Sequence, residues 1–277
     1  MYEIKERLLF SSRQVDKSTR QQDNRTTSRV NKSKSASVSK SVLTIGIPRV
    51  LNMFEEYPFW HTLFSSCGIK VILSNPSNYT NYERNVRMVM SDNICFPAKL
   101  VHSHIEDLQK QNVDRIFMPF VIYESDDKKQ QNSYNCPIVT GYSTVVKNVQ
   151  PSDIPIDTPT ISFKDREMLL KQCKEYLTSL CINDKTIEKA FVEAEKEYLN
   201  FKKELVRHNE EILSSATRND ELTILLAGRP YHSDPLIQHK ISNMLSEMGI
   251  NVITDDIVRD KDVEIKDTHF LSQWSYP

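Results

Sequence analysis

Two cysteines in this sequence stand beside prolines in loop-like surroundings, and their placement indicates soft-metal or redox chemistry. Cys95 lies between the polar segment SDNI and the segment FPAKLVH, in which Pro97 suits the first turn of a helix. Cys136 stands directly before Pro137. A cysteine at a helix N-terminus lies near unpaired N–H groups, which favour the metal-binding thiolate. We therefore predict that Cys95 and Cys136 ligate a soft metal or an iron–sulfur centre.

For the remaining cysteines and for two nearby histidines, we predict structural roles. We predict that Cys67, Cys173 and Cys181 are packing residues, because cysteine behaves as a small hydrophobic side chain. His102 and His104 stand two residues apart on the helix predicted after the first loop cysteine, so they point to different faces. We interpret them as one surface and one core histidine. A zinc site made of the two loop cysteines and one histidine remains an alternative.

Length and composition restrict the class of protein. The chain has 277 residues, 39% of them hydrophobic, and a formal net charge of −1, which gives no indication of nucleic-acid or membrane-surface binding. No apolar run approaches the roughly 20 residues of a membrane-spanning helix, and no secretory signal is recognisable. Five cysteines without paired spacing argue against a disulfide framework. The sequence therefore predicts a cytoplasmic protein.

Short apolar runs alternate with helical patterns, which predicts an α/β protein with parallel strands. One of the predicted strands covers residues 138–140, and a predicted helix runs from Pro235 to Met248. The second α/β unit has only two clear strands, so we expect it to be incomplete. The predicted regions are a disordered basic tail over 1–42, a first α/β domain over 43–160, a helical linker over 161–216 and the second α/β unit over 217–277.

Charged and polar side chains follow the first strand of each predicted unit, where open α/β sheets bind ligands. In the second unit, Arg229 can bind a phosphate or carboxylate and His232 can exchange a proton. The alternative is a structured turn in which Asp234 caps a helix. Arg49 and Glu55 occupy the corresponding position in the first unit, with solvent-facing loop charges as the alternative.

Several segments resemble a known family. They are IGIPRVLNMFEEYPFW at 45–60, CFPAKLVHSHIEDL at 95–108, GRPYH at 228–232 and QWSYP at 273–277. The chain resembles the acyl-CoA dehydratase activase-related domain (DUF2229), which is related to the iron–sulfur subunits of 2-hydroxyacyl-CoA dehydratase and benzoyl-CoA reductase. The resemblance implies Rossmann-like domains that hold a [4Fe–4S] cluster through loop cysteines. The candidate ligand-binding residues within or near these segments are Arg49, Glu55, Lys99, Gly228, Arg229, Tyr231 and His232.

The resemblance also implies a partner. Proteins of this kind pair with an ATP-hydrolysing activase of the actin/Hsp70 fold, which supplies low-potential electrons, and many family members carry both parts on one polypeptide. Residues 1–42 contain no such ATPase, and the sequence stops before a further glycine-flanked cysteine of the family. We therefore expect the activase on a separate chain and a small acyl-CoA-like substrate. The alternative is a non-catalytic α/β fragment that acts as a scaffold or docks on a partner subunit.

Overall fold

Helices and parallel strands alternate along the chain in the computed structural model, which describes residues 1–10, 42–124 and 134–258. The helices are α1 Tyr2–Phe10, α2 Met53–Ser66, α3 Tyr79–Asn85, α4 Phe96–Gln109, α5 Pro137–Val149, α6 Arg166–Ser179, α7 Asp184–Arg218 and α8 Ile241–Glu247. The strands are β1 Thr44–Ile47, β2 Lys70–Leu73, β3 Arg115–Phe117, β4 Phe120–Tyr123, β5 Ile156–Asp157, β6 Thr160–Ser162, β7 Thr223–Leu226 and β8 Asn251–Thr254. Short 3₁₀ helices cover Val86–Met88, Pro230–Ser233 and Asp255–Ile257.

All the described strand ladders are parallel. The first unit contains a sheet of order β2-β1-β3-β5 and a separate β4–β6 pair, and the second unit contains the β7–β8 pair. Parallel strands require crossover connections, and helices supply them here. The architecture confirms the predicted α/β class with Rossmann-like units.

The loops that follow the strands of the first unit lie at the carboxyl edge of its sheet, where α2 and α4 begin. α4 packs closely on β1: a Cβ at Gly46 would lie 3.1 Å from side-chain atoms of both Leu108 and Val113. The absence of a side chain at Gly46 therefore lets the helix approach the strand. This packing fixes α4, and with it the position of Cys95 directly before Phe96.

The strand predicted at residues 138–140 is wrong, because these residues belong to α5. Ile, Val and Thr favour strands, which explains the prediction. The helix forms because Pro137 suits the first turn and because Val139, Tyr142 and Val146 share one buried face. Burial of that face outweighs the local strand preference.

The N-terminus corrects the prediction of a disordered tail over residues 1–42. Residues 2–10 form α1, and Leu9 and Phe10 are buried in the main hydrophobic core. Lys5 donates two hydrogen bonds to Asp256, at 3.1 and 2.9 Å, and both side chains are buried. The helix forms because tertiary contacts stabilise a segment too short to be helical by itself. Residues 11–41, on which the rest of that prediction falls, lie outside the described residues.

The 35-residue helix α7 joins the two units, because it contacts α2 in the first and β8 in the second. The helix predicted between Pro235 and Met248 is shorter, because only Ile241–Glu247 are α-helical. His239 and Lys240 have positive φ angles of 52° and 58°, which interrupt a right-handed helix. Among the described helices, none has the length and apolarity needed to cross a bilayer. The QWSYP segment lies outside the described residues.

Candidate functional site

Cys95 and Cys136 occupy equivalent positions at the starts of two helices. Cys95 is the N-cap of α4, with φ −62° and ψ 150°, and Cys136 is the N-cap of α5, with φ −63° and ψ 153°. A proline stands in the first turn of each helix, and neither thiol makes a capping hydrogen bond within the described structure. Cys95 is exposed and Cys136 is half-buried. Both sulfurs are therefore accessible at positive helix ends, a suitable setting for an anionic ligand atom.

The Tyr231 side chain connects these two cysteines to the second unit. Burial raises the pKa of the Tyr231 phenol to about 12, the charge of Arg229 lowers it, and negative charge on Cys136 or Cys95 raises it further. Both cysteines therefore contribute to the electrostatic surroundings of this phenol. Charge on Cys95 also contributes to the raised pKa of Tyr142, after burial. The two thiols and the segment around Tyr231 thus belong to one region.

Both histidines of α4 are buried, so the prediction that one lies at the surface is wrong. His102 Nδ1 lies 3.1 Å from Gln150 Oε1, and His102 Nε2 lies 2.9 Å from the Tyr142 hydroxyl. His104 also uses both ring nitrogens, toward Ser74 and Ser77. Protein partners already occupy these nitrogens, which disfavours the alternative zinc site of two cysteines and one histidine.

A directional chain of hydrogen bonds runs through His104 and links the two units. Burial and then the charge of Arg49 lower the pKa of His104 to about 4, so the imidazole is neutral near pH 7. The Arg49 N–H donates to Ser74 Oγ, which lies 2.7 Å from His104 Nδ1. His104 Nε2 lies 2.9 Å from Ser77 Oγ, and the Ser77 hydroxyl donates to Asp234. Asp234 belongs to the second unit, so the chain holds that unit against the carboxyl edge of the first.

Three of the predicted ligand-binding residues in the first unit contact other parts of the protein. Arg49 is buried, forms an ion pair with Glu6, and lies 4.1 Å from the centre of the Phe10 ring. Glu55 is also buried and lies 3.7 Å from Lys202 Nζ. The interpretation of Arg49 and Glu55 as solvent-facing charges is therefore wrong. Lys99 donates to the carbonyl oxygen of Asp92 in the loop before Cys95, at 2.8 Å, and steadies that loop.

In the second unit, residues 228–232 form a tight turn next to the cysteines. The Arg229 N–H donates to His232 Nδ1 at 2.9 Å, and burial lowers the pKa of His232. Asp234 accepts hydrogen bonds from the N–H groups of Leu236 and Ile237. The predicted structured turn is thus present, although Asp234 caps no α-helix at this position. The neutral His232 carries its proton on Nε2, because its Nδ1 accepts.

Two buried acids, Glu56 and Glu124, were not predicted from the sequence. Burial raises the pKa of Glu56 well above its usual range, and burial raises that of Glu124 to about 7. The sequence carries a signal for Glu56: it precedes Trp60 by four residues and therefore shares the apolar face of α2. For Glu124, the neighbouring residues offer no comparable local pattern, because its interaction with Glu56 of α2 is a tertiary contact.

A known protein family matches most of this chain. The family described as CoA enzyme activase uncharacterised domain (DUF2229) matches residues 44–258. The chain belongs to this family. None of the curated proteins compared with this DUF2229 chain matches it, and none of the solved structures does. The match includes both loop cysteines and the turn at 228–232.

The cysteines of this DUF2229 chain partly fit an iron–sulfur cluster. Cys95 and Cys136 are accessible, whereas burial raises the pKa of Cys67 to about 11 and also raises that of the core residue Cys173. Cys181 is exposed in the turn that follows α6, so the prediction that it is a packing residue is wrong. No group of three or more potential metal ligands occurs among residues 1–10, 42–124 and 134–258. The chain therefore offers two sulfur ligands, and a cubane cluster needs four.

The turn beside the cysteines yields a testable prediction at Gly228. We expect Gly228→Ala to lower the free energy of unfolding by about 1–3 kcal/mol, because an added Cβ would overlap His232 Nδ1 and break its hydrogen bond with the Arg229 N–H. Urea denaturation measures the change. Gly141→Ala in α5 is the matched control, because the added Cβ would lie 4.0 Å from the Phe120 ring and alanine stabilises a helix by roughly 0.5–1 kcal/mol relative to glycine. Equal effects of the two substitutions would contradict the prediction.

Proposed function

We propose that this DUF2229 chain is the iron–sulfur component of a 2-hydroxyacyl-CoA dehydratase-like or activase-like system. Cys95 and Cys136 provide two thiolate ligands to a [4Fe–4S] cluster. The observation that carries the proposal is the equivalent placement of these thiols at the starts of α4 and α5, with Tyr231 close to both. When bound, such a cluster accepts and releases single electrons at low potential.

The residues around the thiols have distinct roles in this proposal. The Tyr231 phenol keeps its proton at neutral pH and can donate a hydrogen bond to anionic sulfur, because its pKa is about 12. Arg229 adds positive charge beside that phenol, which favours an anionic centre or an acyl-CoA-like acceptor. The chain of hydrogen bonds from Ser74 to Asp234 keeps the turn that carries both residues against the first unit.

The proposal also includes partners, because the described residues offer two cysteine ligands and a cubane cluster needs four. Ligands from a partner chain or from the substrate complete the cluster. An ATP-hydrolysing activase of the actin/Hsp70 fold supplies the electrons, and a small acyl-CoA-like molecule accepts them. The proposal places the system in the cytoplasm, where the reducing environment keeps exposed thiols free.

Anaerobic reconstitution with iron and sulfide tests the proposal. We expect a brown, oxygen-sensitive protein whose iron and sulfide are measured chemically and whose mass in solution is measured by light scattering. A mass above that of one 32.2 kDa chain would indicate that a second copy completes the ligand set. A colourless protein without bound iron under these conditions would contradict the proposed function.

A second candidate function is a non-catalytic docking module. The observation in its favour is a group of exposed apolar side chains on the second unit, contributed by Leu225 of β7, by Ile241 and Met244 of α8, and by Met248 just after it. Exposed apolar groups of this kind are typical of protein–protein contacts. A metal-free protein that forms a stable complex with the activase through this surface would support the docking function over the redox function.

A further inference from the structure

Two tyrosine rings and a lysine lie together where the parallel strands β4 and β6 end. Tyr123 is the last residue of β4 and is paired with Ser162, the last residue of β6. The centre of the Tyr123 ring lies 4.6 Å from that of Tyr134, with 33° between the ring planes. Lys164 Nζ lies 4.7 Å from the centre of the Tyr123 ring. We call Tyr123, Tyr134 and Lys164 the aromatic shelf.

Backbone contacts hold the aromatic shelf in place. Tyr123 and Tyr134 form an antiparallel β-bridge. The Phe163 N–H donates to the Tyr123 carbonyl at 2.9 Å, and the Asn135 N–H donates to the carbonyl of Ile122 at 2.8 Å. A hydrogen bond with Tyr134 also raises the pKa of the Tyr123 phenol, so the two hydroxyl groups are in contact. The rings are therefore ordered before a ligand binds, which reduces the entropic cost of binding.

The aromatic shelf is open to solvent. Tyr134 is 44% exposed, and Lys164 is exposed as well. The nearby Arg166 is already paired, because its Nη2 atom lies 2.8 Å from Glu195 Oε2. Lys164, by contrast, contacts the Tyr123 ring. An exposed tyrosine next to a lysine offers a stacking surface and a positive charge to the same ligand.

The aromatic shelf also lies at the edge of the sheet where open α/β folds bind their ligands, the carboxyl ends of parallel strands. Tyr134 stands two residues before Cys136, the N-cap of α5. Because one residue spans at most about 3.6 Å of extended chain, the Cα atoms of Tyr134 and Cys136 lie within roughly 7 Å of each other. A ligand on the shelf is therefore next to a thiol of the candidate site.

A ligand with a planar ring and a negative charge fits this arrangement. Bases stack on aromatic side chains through their π faces, and a lysine binds phosphate as a point charge. A nucleotide combines both groups, whereas a simple carboxylic acid or an inorganic phosphate lacks the ring. The acyl-CoA-like acceptor of the proposed function carries an adenine nucleotide at one end. That end can use the ring and the ammonium group together.

We propose that the aromatic shelf binds an adenine nucleotide, with the base stacked on Tyr134 and a phosphate group beside Lys164. The choice of coenzyme A as the source of this nucleotide rests on the proposed function. Binding makes and breaks no covalent bond. The shelf holds the nucleotide end of the acceptor beside Cys136, and it does so whether or not a metal centre is bound.

Binding of desulfo-coenzyme A to the metal-free protein tests the inference by isothermal titration calorimetry. This analogue lacks the thiol and cannot form a mixed disulfide with the exposed Cys95. We expect saturable binding to the wild type and none of pantetheine, which lacks the nucleotide. Tyr134→Ala should weaken binding about 5- to 150-fold, the affinity equivalent of losing one stacked base. Tyr134→Phe should retain the wild-type affinity, because the ring face remains.

Two further variants examine the charge and the specificity of the site. Lys164→Gln should weaken binding by up to about fivefold, and added salt should weaken binding to the wild type, because exposed charge pairs are modest in energy and are screened. Tyr79→Ala is the matched control, because Tyr79 is a 59% exposed tyrosine of α3. Its substitution should leave the affinity unchanged. Urea denaturation verifies that each variant is folded.

ADP distinguishes the two sources of an adenine nucleotide. Weaker binding of ADP than of desulfo-coenzyme A would support coenzyme A, whereas equal affinity would support the nucleotide site and overturn its assignment to coenzyme A. Absence of binding by both probes, or equal weakening by Tyr134→Ala and Tyr79→Ala, would overturn the inference. Iron does not enter this experiment. A failed reconstitution would therefore contradict the proposed function, and calorimetry would still decide whether the nucleotide site exists.

Discussion

Cys136→Ala is expected to remove nearly all bound iron from the reconstituted protein, and Cys95→Ala is expected to do the same. Each substitution removes one of the two thiolate ligands that the chain offers. Loss of an outer-shell partner lowers metal affinity by roughly 10- to 100-fold, and loss of a direct ligand costs more than that. Iron content after gel filtration and the visible absorbance of the cluster measure the effect.

Cys181→Ser is the matched control for these substitutions. Cys181 is also exposed, but it lies in the turn after α6, whereas Cys95 and Cys136 precede α4 and α5. We expect Cys181→Ser to retain wild-type iron content and colour. Equal iron loss in all three variants would show that the thiols bind iron unspecifically and would contradict the assignment of Cys95 and Cys136.

The second large effect concerns stability and the helix α1. We expect Lys5→Met to lower the free energy of unfolding by about 3–5 kcal/mol, because it removes the cation from a buried ion pair and leaves the Asp256 carboxylate without it. The pair joins α1 to the 3₁₀ helix after β8. The variant should therefore also loosen the second unit, which denaturant unfolding and hydrogen exchange of residues 251–257 would measure.

Two further variants control for this result. The double variant Lys5→Met/Asp256→Asn should regain a large part of the lost stability, because no uncompensated charge remains buried. Lys171→Met should change stability by less than about 1 kcal/mol, because Lys171 and Glu175 are largely exposed and their charged atoms lie 3.9 Å apart. A comparably small effect for Lys5→Met would contradict the docking of α1 on the second unit.

Local sequence signals predicted many of the regular elements. The apolar runs at Thr44–Ile47 and Lys70–Leu73 form adjacent parallel strands, and Pro97 marks the first turn of α4. These predictions succeeded because strand pairing and helix initiation at these places agree with short-range preferences. The prediction failed at 138–140, where strand-favouring residues are helical because their apolar face is buried.

The N-terminal helix shows a different kind of failure. The segment LLF at residues 8–10 is too short to suggest a stable element by itself. Leu9 and Phe10 are buried only because α1 packs on α2. The centre of the Phe10 ring lies 5.5 Å from that of Phe54 and 5.2 Å from that of Tyr57. A helix of nine residues is marginal in water, so its presence depends on contacts that the local sequence does not reveal.

The sequence by itself determined the α/β class, the membership of the DUF2229 family and the two thiols at helix starts, because each depends on residues adjacent in the chain. Only the tertiary structure decided that Tyr231 lies near both thiols and that Glu56 meets Glu124 in the interior. These residues are separated by tens of positions along the chain. Their proximity and their low-dielectric surroundings arise when helices pack on the parallel strands and exclude water, and this packing also sets the protonation of the buried acids.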